Sequence, residues 1–377
     1  MLSLVLSGGG ARGAYQVGVL RRIAEMRPDL PFPVLVGSSV GSINVSYIGS
    51  RADRFATAVD ALAQLWATLT VDRIYRTDTL SLSRIGLQWL RELTGGGHLV
   101  GTRARSLLDT TPLQRLLAEH LHLRNIRPFI ERGLLRAVTV IATSYTTGQS
   151  VSFVQGHSGI SPWSRSRRVA VLTDLGTEHV LASCAIPFIF PAVRVGDAHY
   201  GDGNVRLSNP FSPAAKLGAS RILAVSLRHP KNPAEASVPL FRGYPPLAQV
   251  AGVLMNSVFL DSFDDDVAQL VRVNSLLSRT SLELSGSEEE PGLRRIQLLV
   301  VAPSRDLGRL AGEHAHRFPP VVRWLLRGLG AGETQSADLV SYLLFDRSYT
   351  QPLLELGYAD AAARTSAIER FLDEADP

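Results

Sequence analysis

Two glycine-bounded turns near the start of the chain constrain its fold more than any other feature: Gly8-Gly9-Gly10-Ala11-Arg12-Gly13 and Gly37-Ser38-Ser39-Val40-Gly41. Each follows a short apolar run, Leu2 to Leu6 and then Pro33 to Val36, and precedes residues with helical spacing, so each reads as a strand-to-helix turn. Between them Tyr15, Val19, Ile23 and Met26 recur at helical intervals, which gives a β-α-β unit. The second turn fits G-x-S-x-G. In that pattern glycines flank a serine on a turn too sharp for larger neighbours, and the hydroxyl stands above the end of the sheet. Spacing makes Ser39, not Ser38, the candidate nucleophile.

The first turn leaves backbone N–H groups at a helix start, where they can bind an anion or a developing oxyanion. Gly8, Gly10 and Gly13 also satisfy the dinucleotide fingerprint G-x-G-x-x-G. That fingerprint needs an acid at the end of the second strand to bind the ribose. Here the strand ends at Val36-Gly37-Ser38, and the nearest acid, Asp29, precedes it between Pro28 and Pro31. No Gly-Lys-Ser/Thr follows, so a P-loop is excluded as well.

A serine nucleophile needs a base. Among the histidines, His229 is best placed for a Ser…Asp…His order, because it follows the apolar run Ile222 to Leu227 after Asp202. A histidine is not required, however. Tyr200-Gly201-Asp202-Gly203-Asn204 holds a carboxylate between glycines, and an aspartate in a partly dry pocket can accept the proton directly. With an ordinary pKa near 3.9 it is a weak base, so such a dyad depends on burial and geometry.

Four blocks in order carry a resemblance to the patatin-like phospholipases. They are the Gly8 to Gly13 turn, the Gly37 to Gly41 turn, the run from Ala182 through Cys184 and Phe188 to Pro191, and Asp202-Gly203 with Ser208-Asn209-Pro210. The likeness is strong over residues 1 to 230 and loose beyond. It implies a Ser39–Asp202 dyad, with the oxyanion hole drawn from the Gly8, Gly9, Gly10, Ala11, Arg12 and Gly13 turn, chiefly the backbone of Gly9, Gly10 and Ala11. It also implies a three-layer α/β fold and calcium-independent cleavage of fatty acyl esters, as in a family whose members resemble the catalytic domain of cytosolic phospholipase A2. Asn204 departs from the usual Asp-Gly-Gly or Asp-Gly-Ala triplet, and its tolerance of left-handed backbone is expected to preserve the turn.

Further along, Ile43 to Ala67 continues helically, and residues 68 to 135 read as helical or irregular, with a loop at Gly95-Gly96-Gly97. Ala137 to Thr143 and Val151 to Val154 form a hairpin around Thr147-Gly148, and Ile222 to Leu227 and Ile296 to Val301 add strands. The expected architecture is a central, mostly parallel sheet with helices on both faces over residues 1–302. Residues 303–377 follow as a helical extension that either packs on this body or forms a lid or membrane-facing surface, with an amphipathic piece at Val321 to Leu329 and a core-like run at Ser341 to Phe345.

The composition limits the alternatives. The 377 residues contain one cysteine, Cys184, which reads as a small core hydrophobe and precludes an internal disulfide. An apolar strand begins at Leu2 and no stretch of 18 apolar residues follows, so the sequence predicts a cytoplasmic protein without a spanning segment. The net charge of +5 is almost all arginine, Lys216 and Lys231 being the only lysines. It suits peripheral contact with anionic membranes through Arg165, Arg167 and Arg168, and no nucleic-acid motif accompanies it. Leu247, Val250, Ala251, Leu254 and Val258 form a helical stripe, followed by Asp261, Asp264, Asp265 and Asp266, which lack the glycine of a calcium loop and read as a solvated face. His120-x-His122 and His314-x-His316 lie in helix-like stretches, where alternate residues diverge, so no metal and no cofactor are assigned. The rival to a hydrolase is a lipid-binding or regulatory protein that keeps the fold without turnover. Intact Ser39 and Asp202 argue against it.

Overall fold

The first strand, β1 (Leu2–Leu6), is buried on both sides, as a central strand of a parallel sheet must be, and it lies between β2 (Val34–Ser38) and β9 (Arg221–Val225), parallel to both. The computed structural model describes residues 1–77, 106–207, 209–230, 235, 244–279, 294–320, 322–324 and 337–374. Within these, the strands join one mixed sheet. Its remaining members are β3 (Ala137–Ser144), β4 (Ser150–Gly156), β5 (Ser164–Arg165), β6 (Arg168–Leu172), β7 (Val193–Val195), β8 (Ala198–Asp202) and β10 (Gln297–Val301). The order is β10-β9-β1-β2-β3-β4-β6-β5, parallel from β10 to β3, with β3 and β4 forming the expected hairpin and β7-β8 attached to β3.

Helices cover both faces. They are α1 (Gly13–Met26), α2 (Val40–Gly49), α3 (Phe55–Ala67), α4 (Thr111–His120), α5 (Ile126–Glu131), α6 (Thr177–Ser183), α7 (Ser212–Lys216), α8 (Leu247–Asn256), α9 (Ser262–Arg279), α10 (Leu307–Glu313), α11 (Ala337–Leu343), α12 (Arg347–Ala363) and α13 (Thr365–Asp373). Side chains of α1, α2, α3 and α12 pack with Leu4, Leu6 and Leu35 on one face; Phe211, Ala214 and Phe263 pack with Val5, Val34 and Val36 on the other. Alternation along β1 and β2 thus splits the core into two layers.

The stretch read as one helix from Ile43 to Ala67 is two. Helix α2 ends at Gly49, and a short 3-10 turn at Ala52–Arg54 redirects the chain into α3. The C-terminal helices belong to the same packed body: α12 lies across α1 so closely that a Cβ on Gly18 would stand 2.1 Å from the Leu354 carbonyl oxygen, and one on Gly357 2.1 Å from that of Tyr15. Most of the amphipathic piece at residues 321–329, the Gly95-Gly96-Gly97 loop and Ser208 lie outside the described residues. No helix among the described residues is long and apolar enough to cross a membrane.

Candidate active site

Strand β2 ends at Ser38 and α2 begins at Val40, which leaves Ser39 alone at the corner with φ 51° and ψ −128°. A non-glycine residue in such a conformation costs on the order of 1–3 kcal/mol and persists only where its surroundings enforce it. They do so from both sides. The Ser39 N–H donates to Ser183 Oγ (2.8 Å), whose hydroxyl donates to the Ile141 carbonyl (2.6 Å), while the Ser39 carbonyl accepts from the N–H and hydroxyl of Ser42. The flanking glycines are steric requirements: a Cβ on Gly41 would lie 2.1 Å from the Leu6 carbonyl oxygen, and one on Gly37 2.5 Å from that of Gly41.

Strand β3 brings Asp202 to this corner. Its edge pairs with β2 up to Ile141, opposite Ser38, and at the next residue, Ala142, the partner becomes Asp202 of β8. The end of β2 and the end of β8 therefore meet on one edge. The Asp202 N–H donates to the Ala185 carbonyl (2.8 Å), the Thr143 hydroxyl to the Asp202 carbonyl (2.8 Å), and the Asn204 N–H to Asp202 Oδ1 (3.0 Å). Oδ2 is buried without a partner at full hydrogen-bond geometry. Burial pushes the Asp202 carboxyl up to about 7, against the opposing pull of the neighbouring Ser39 hydroxyl and the Asn204 N–H. The Ser39 hydroxyl is therefore close enough to favour the carboxylate.

Asn204 differs from expectation. It has no positive φ among the described residues, so left-handed tolerance is not its use. Its side chain instead joins two elements: the Ser38 hydroxyl donates to Asn204 Oδ1, and Asn204 Nδ2 donates to the Phe259 carbonyl at 3.4 Å. Ser183 and Asn204 thus hold the corner around Ser39 and Asp202.

The glycine turn borders Ser39, since a Cβ on Gly8 would lie 2.8 Å from Ser39 Cβ, and it runs through a 3-10 turn, Gly10–Arg12, into α1. The first N–H groups of such a start have no intrahelical partner and can meet negative charge. Gly9 packs on Leu227, Ala11 is buried and Gly13 faces Val40, while the Arg12 side chain turns away from Ser39 toward α11. From Ser39 and Gly10 a cavity opens between α2, α3 and α4, walled by Ile43, Trp66, Leu117, Ile186, Phe190 and Phe345. Cys184 forms part of its wall. Burial pushes that thiol up, so it stays protonated and acts as the small apolar side chain expected of it.

His229 is not assembled with the pair. Its Nδ1 lies 2.9 Å from the Pro303 carbonyl oxygen and its Nε2 3.8 Å from a Glu235 carboxylate oxygen. The acids after the α8 stripe are only partly a solvated face: Asp261 and Asp264 pair with Arg228, and Asp266 is buried, accepting from the Phe211 N–H (2.9 Å) and Asn209 Nδ2 (3.1 Å). No group of three or more potential metal ligands occurs among the described residues. Of the three arginines, Arg168 donates to Asn209 Oδ1 (3.0 Å), while Arg165 and Arg168 sit on β5 and β6, on the far side of β4 from the Ser39 corner.

A serine at a strand-to-helix corner, a desolvated aspartate and a glycine turn thus surround the mouth of an apolar cavity. The patatin-like phospholipase family model matches residues 4–215, more than half of the chain. The chain belongs to that family. It is also similar to solved structures of VipD from Legionella pneumophila (11% identity, covering 94% of this chain and 66% of that one, TM-score 0.33). Human GIVD cytosolic phospholipase A2 in complex with methyl γ-linolenyl fluorophosphonate and terbium chloride matches at 13% identity, covering 99% of this chain and 59% of that one, TM-score 0.46. ExoU of Pseudomonas aeruginosa, in its complex with SpcU, matches at 17% identity, covering 91% and 74%, TM-score 0.29. The chain spans less than two-thirds of the length of the first two.

Proposed function

We propose that this protein is a calcium-independent serine acyl hydrolase that cleaves fatty acyl esters of phospholipids, lysophospholipids or related lipids. The observation that carries the proposal is a strained Ser39 beside a buried Asp202 whose carboxyl titrates near neutrality, both at the mouth of an apolar cavity. Ser39 Oγ attacks the acyl carbonyl carbon while Asp202 takes its proton, and the glycine turn binds the resulting oxyanion. Collapse breaks the ester C–O bond, and Asp202 returns the proton to the departing alcohol. Water then attacks the acyl-serine, again giving its proton to Asp202. The fatty acid leaves and Ser39 recovers its hydrogen. The apolar cavity suits the acyl chain.

The test is release of fatty acid from phospholipid, lysophospholipid and neutral-lipid esters in excess chelator. Turnover that persists is the expected result; loss in chelator with recovery on adding calcium would contradict it. A lipid-binding protein without turnover would show binding and no release with all three substrates.

We propose further that contact with lipid aggregates is peripheral. The surface that favours it is the outer face of α8, where Leu247 (68% exposed) and Leu254 (62% exposed) continue from Tyr244, with no charged residue between Tyr244 and Leu260. Its inner face is buried at Ala248 and Gly252, and Gly252 packs against Asp338 and Leu339 of α11. Of the stripe read from sequence, Leu247, Val250 and Leu254 face outward, while Ala251 and Val258 pack against the core. The expected result is vesicle co-sedimentation that survives moderate salt and falls about 100-fold or more in Leu247→Asp with Leu254→Asp, because each apolar side chain contributes about 1.5–3 kcal/mol on burial. Binding confined to anionic vesicles, abolished by salt and by Arg165→Ser with Arg167→Ser, would shift the contact to the arginines.

A further inference from the structure

The 3-10 turn Gly10–Arg12 has three residues, too few to hold its own geometry, yet an oxyanion site needs its N–H groups fixed before the charge develops. Two of those residues are held from outside. The Arg12 side chain is 3% exposed; its Nε donates to Ser341 Oγ (2.7 Å), a terminal nitrogen donates to Asp338 Oδ1 (2.9 Å), and the guanidinium lies 4.5 Å over the centre of the Tyr342 ring. From the same helix the Tyr342 carbonyl closes on Gly10 so tightly that a Cβ there would approach its oxygen to 2.1 Å, and Gly10 has φ 57°. These three partners all belong to α11, more than a hundred residues beyond the end of the family match at residue 215.

Helix α11 also reaches the other half of the site. The Tyr342 hydroxyl donates to Asn256 Oδ1 (3.1 Å), and its ring packs at 5.2 Å against Phe259, whose carbonyl accepts from Asn204 beside Asp202. A buried guanidinium must place its donors on fixed acceptors, so its orientation, and that of the turn it is joined to, follows α11.

We infer that α11 is the positioning clamp of the oxyanion turn: Asp338 and Ser341, acting through Arg12, fix the Gly10–Arg12 backbone against Ser39, so the C-terminal helices are part of the working site. The inference rests on the hydrolase reading above. Asp338 and Ser341 are positioning residues; neither touches substrate.

The experiment uses the full chain and a short soluble ester, with kcat and KM measured for Asp338→Ala, Asp338→Asn, Ser341→Ala, Arg12→Lys and the Arg12→Lys, Asp338→Ala double variant, each below its own melting temperature. Misplacing a preorganised group by about an ångström costs up to about 100-fold in rate. Asp338→Ala is therefore expected to lose about 10- to 100-fold in kcat with KM changed less than about threefold. Asp338→Asn, which keeps the Oδ1 acceptor, should regain most of that loss, and the double variant should be no worse than its worse parent. A merely structural role would lower the melting temperature and leave kcat per folded molecule intact, and that result overturns the clamp. If Asp338→Ala does not fold, Ser341→Ala and Arg12→Lys carry the same test, and wild-type kcat in both overturns it. Fluorophosphonate labelling of the wild type separates the two proposals: failure to label Ser39 removes the hydrolase reading, whereas normal labelling with unaffected variants removes the clamp alone.

Discussion

Ser39→Ala and Asp202→Asn are each expected to lower kcat/KM for ester hydrolysis by about 10³- to 10⁶-fold, and the double variant to be scarcely worse than either single one. Groups that act as one unit lose nearly everything with the first deletion and little with the second. In this protein the unit is set by β3, which pairs Ile141 with Ser38 and Ala142 with Asp202 at consecutive positions. Neither substitution changes side-chain size enough to disturb that register. Parallel steady-state kinetics of the three variants and of His229→Ala decide the matter. His229 is engaged with Pro303 and Glu235, so its loss should leave turnover within a few-fold of wild type. Near-normal turnover in Asp202→Asn together with collapse in His229→Ala would replace the dyad by a triad.

The second large effect concerns pH. Because burial pushes the Asp202 carboxyl up to about 7, kcat/KM should rise with pH through a single acid limb near neutrality and fall about tenfold per unit below it. An ordinary surface aspartate would put that limb near 4. The same shift affects stability, with a definite sign. The folded state holds the Asp202 proton more tightly than the unfolded chain does. The group therefore costs nothing below about pH 4, and destabilises progressively as pH rises from about 4 to about 7. Asp202→Asn, which keeps the shape without the charge, should be more stable than wild type above pH 7, by on the order of 1–3 kcal/mol, and the gain should vanish toward pH 4. Thermal melts of both proteins across that range check it; a pH-independent difference would mean that the carboxylate is not the source.

What the sequence disclosed, and what it hid, divides along the distance between interacting residues. Both glycine turns and their flanking strands were legible because a sharp strand-to-helix corner needs small residues at fixed offsets; the steric reason at Gly37 lies within five residues, whereas that at Gly41 is the distant Leu6 carbonyl. The β3–β4 hairpin and the strands at 222 and 297 carried apolar runs of their own. By contrast β5 to β8 were missed: they are short, and Val171 and Leu172 of β6 lie exposed on the sheet's margin, where the alternation that marks a half-buried strand is lost. The sequence position of Asn204 suggests backbone tolerance, whereas its use is a side-chain bridge from Ser38 to Phe259. The spacing of Leu247, Val250 and Leu254 revealed a helix but not which way its apolar side faces, because periodicity records regularity and not surroundings. Arg12 was grouped with the oxyanion turn, and only the fold brings Asp338 and Ser341 to its guanidinium.

The most direct measurement of the central claim is the pH-dependent rate at which a fluorophosphonate modifies wild type and Asp202→Asn, with the labelled peptide mapped. A single label on Ser39, formed at a rate that rises through about pH 7 in wild type and is lost in Asp202→Asn, is the predicted result. A label on another residue, or a Ser39 rate indifferent both to pH and to Asp202→Asn, would contradict it.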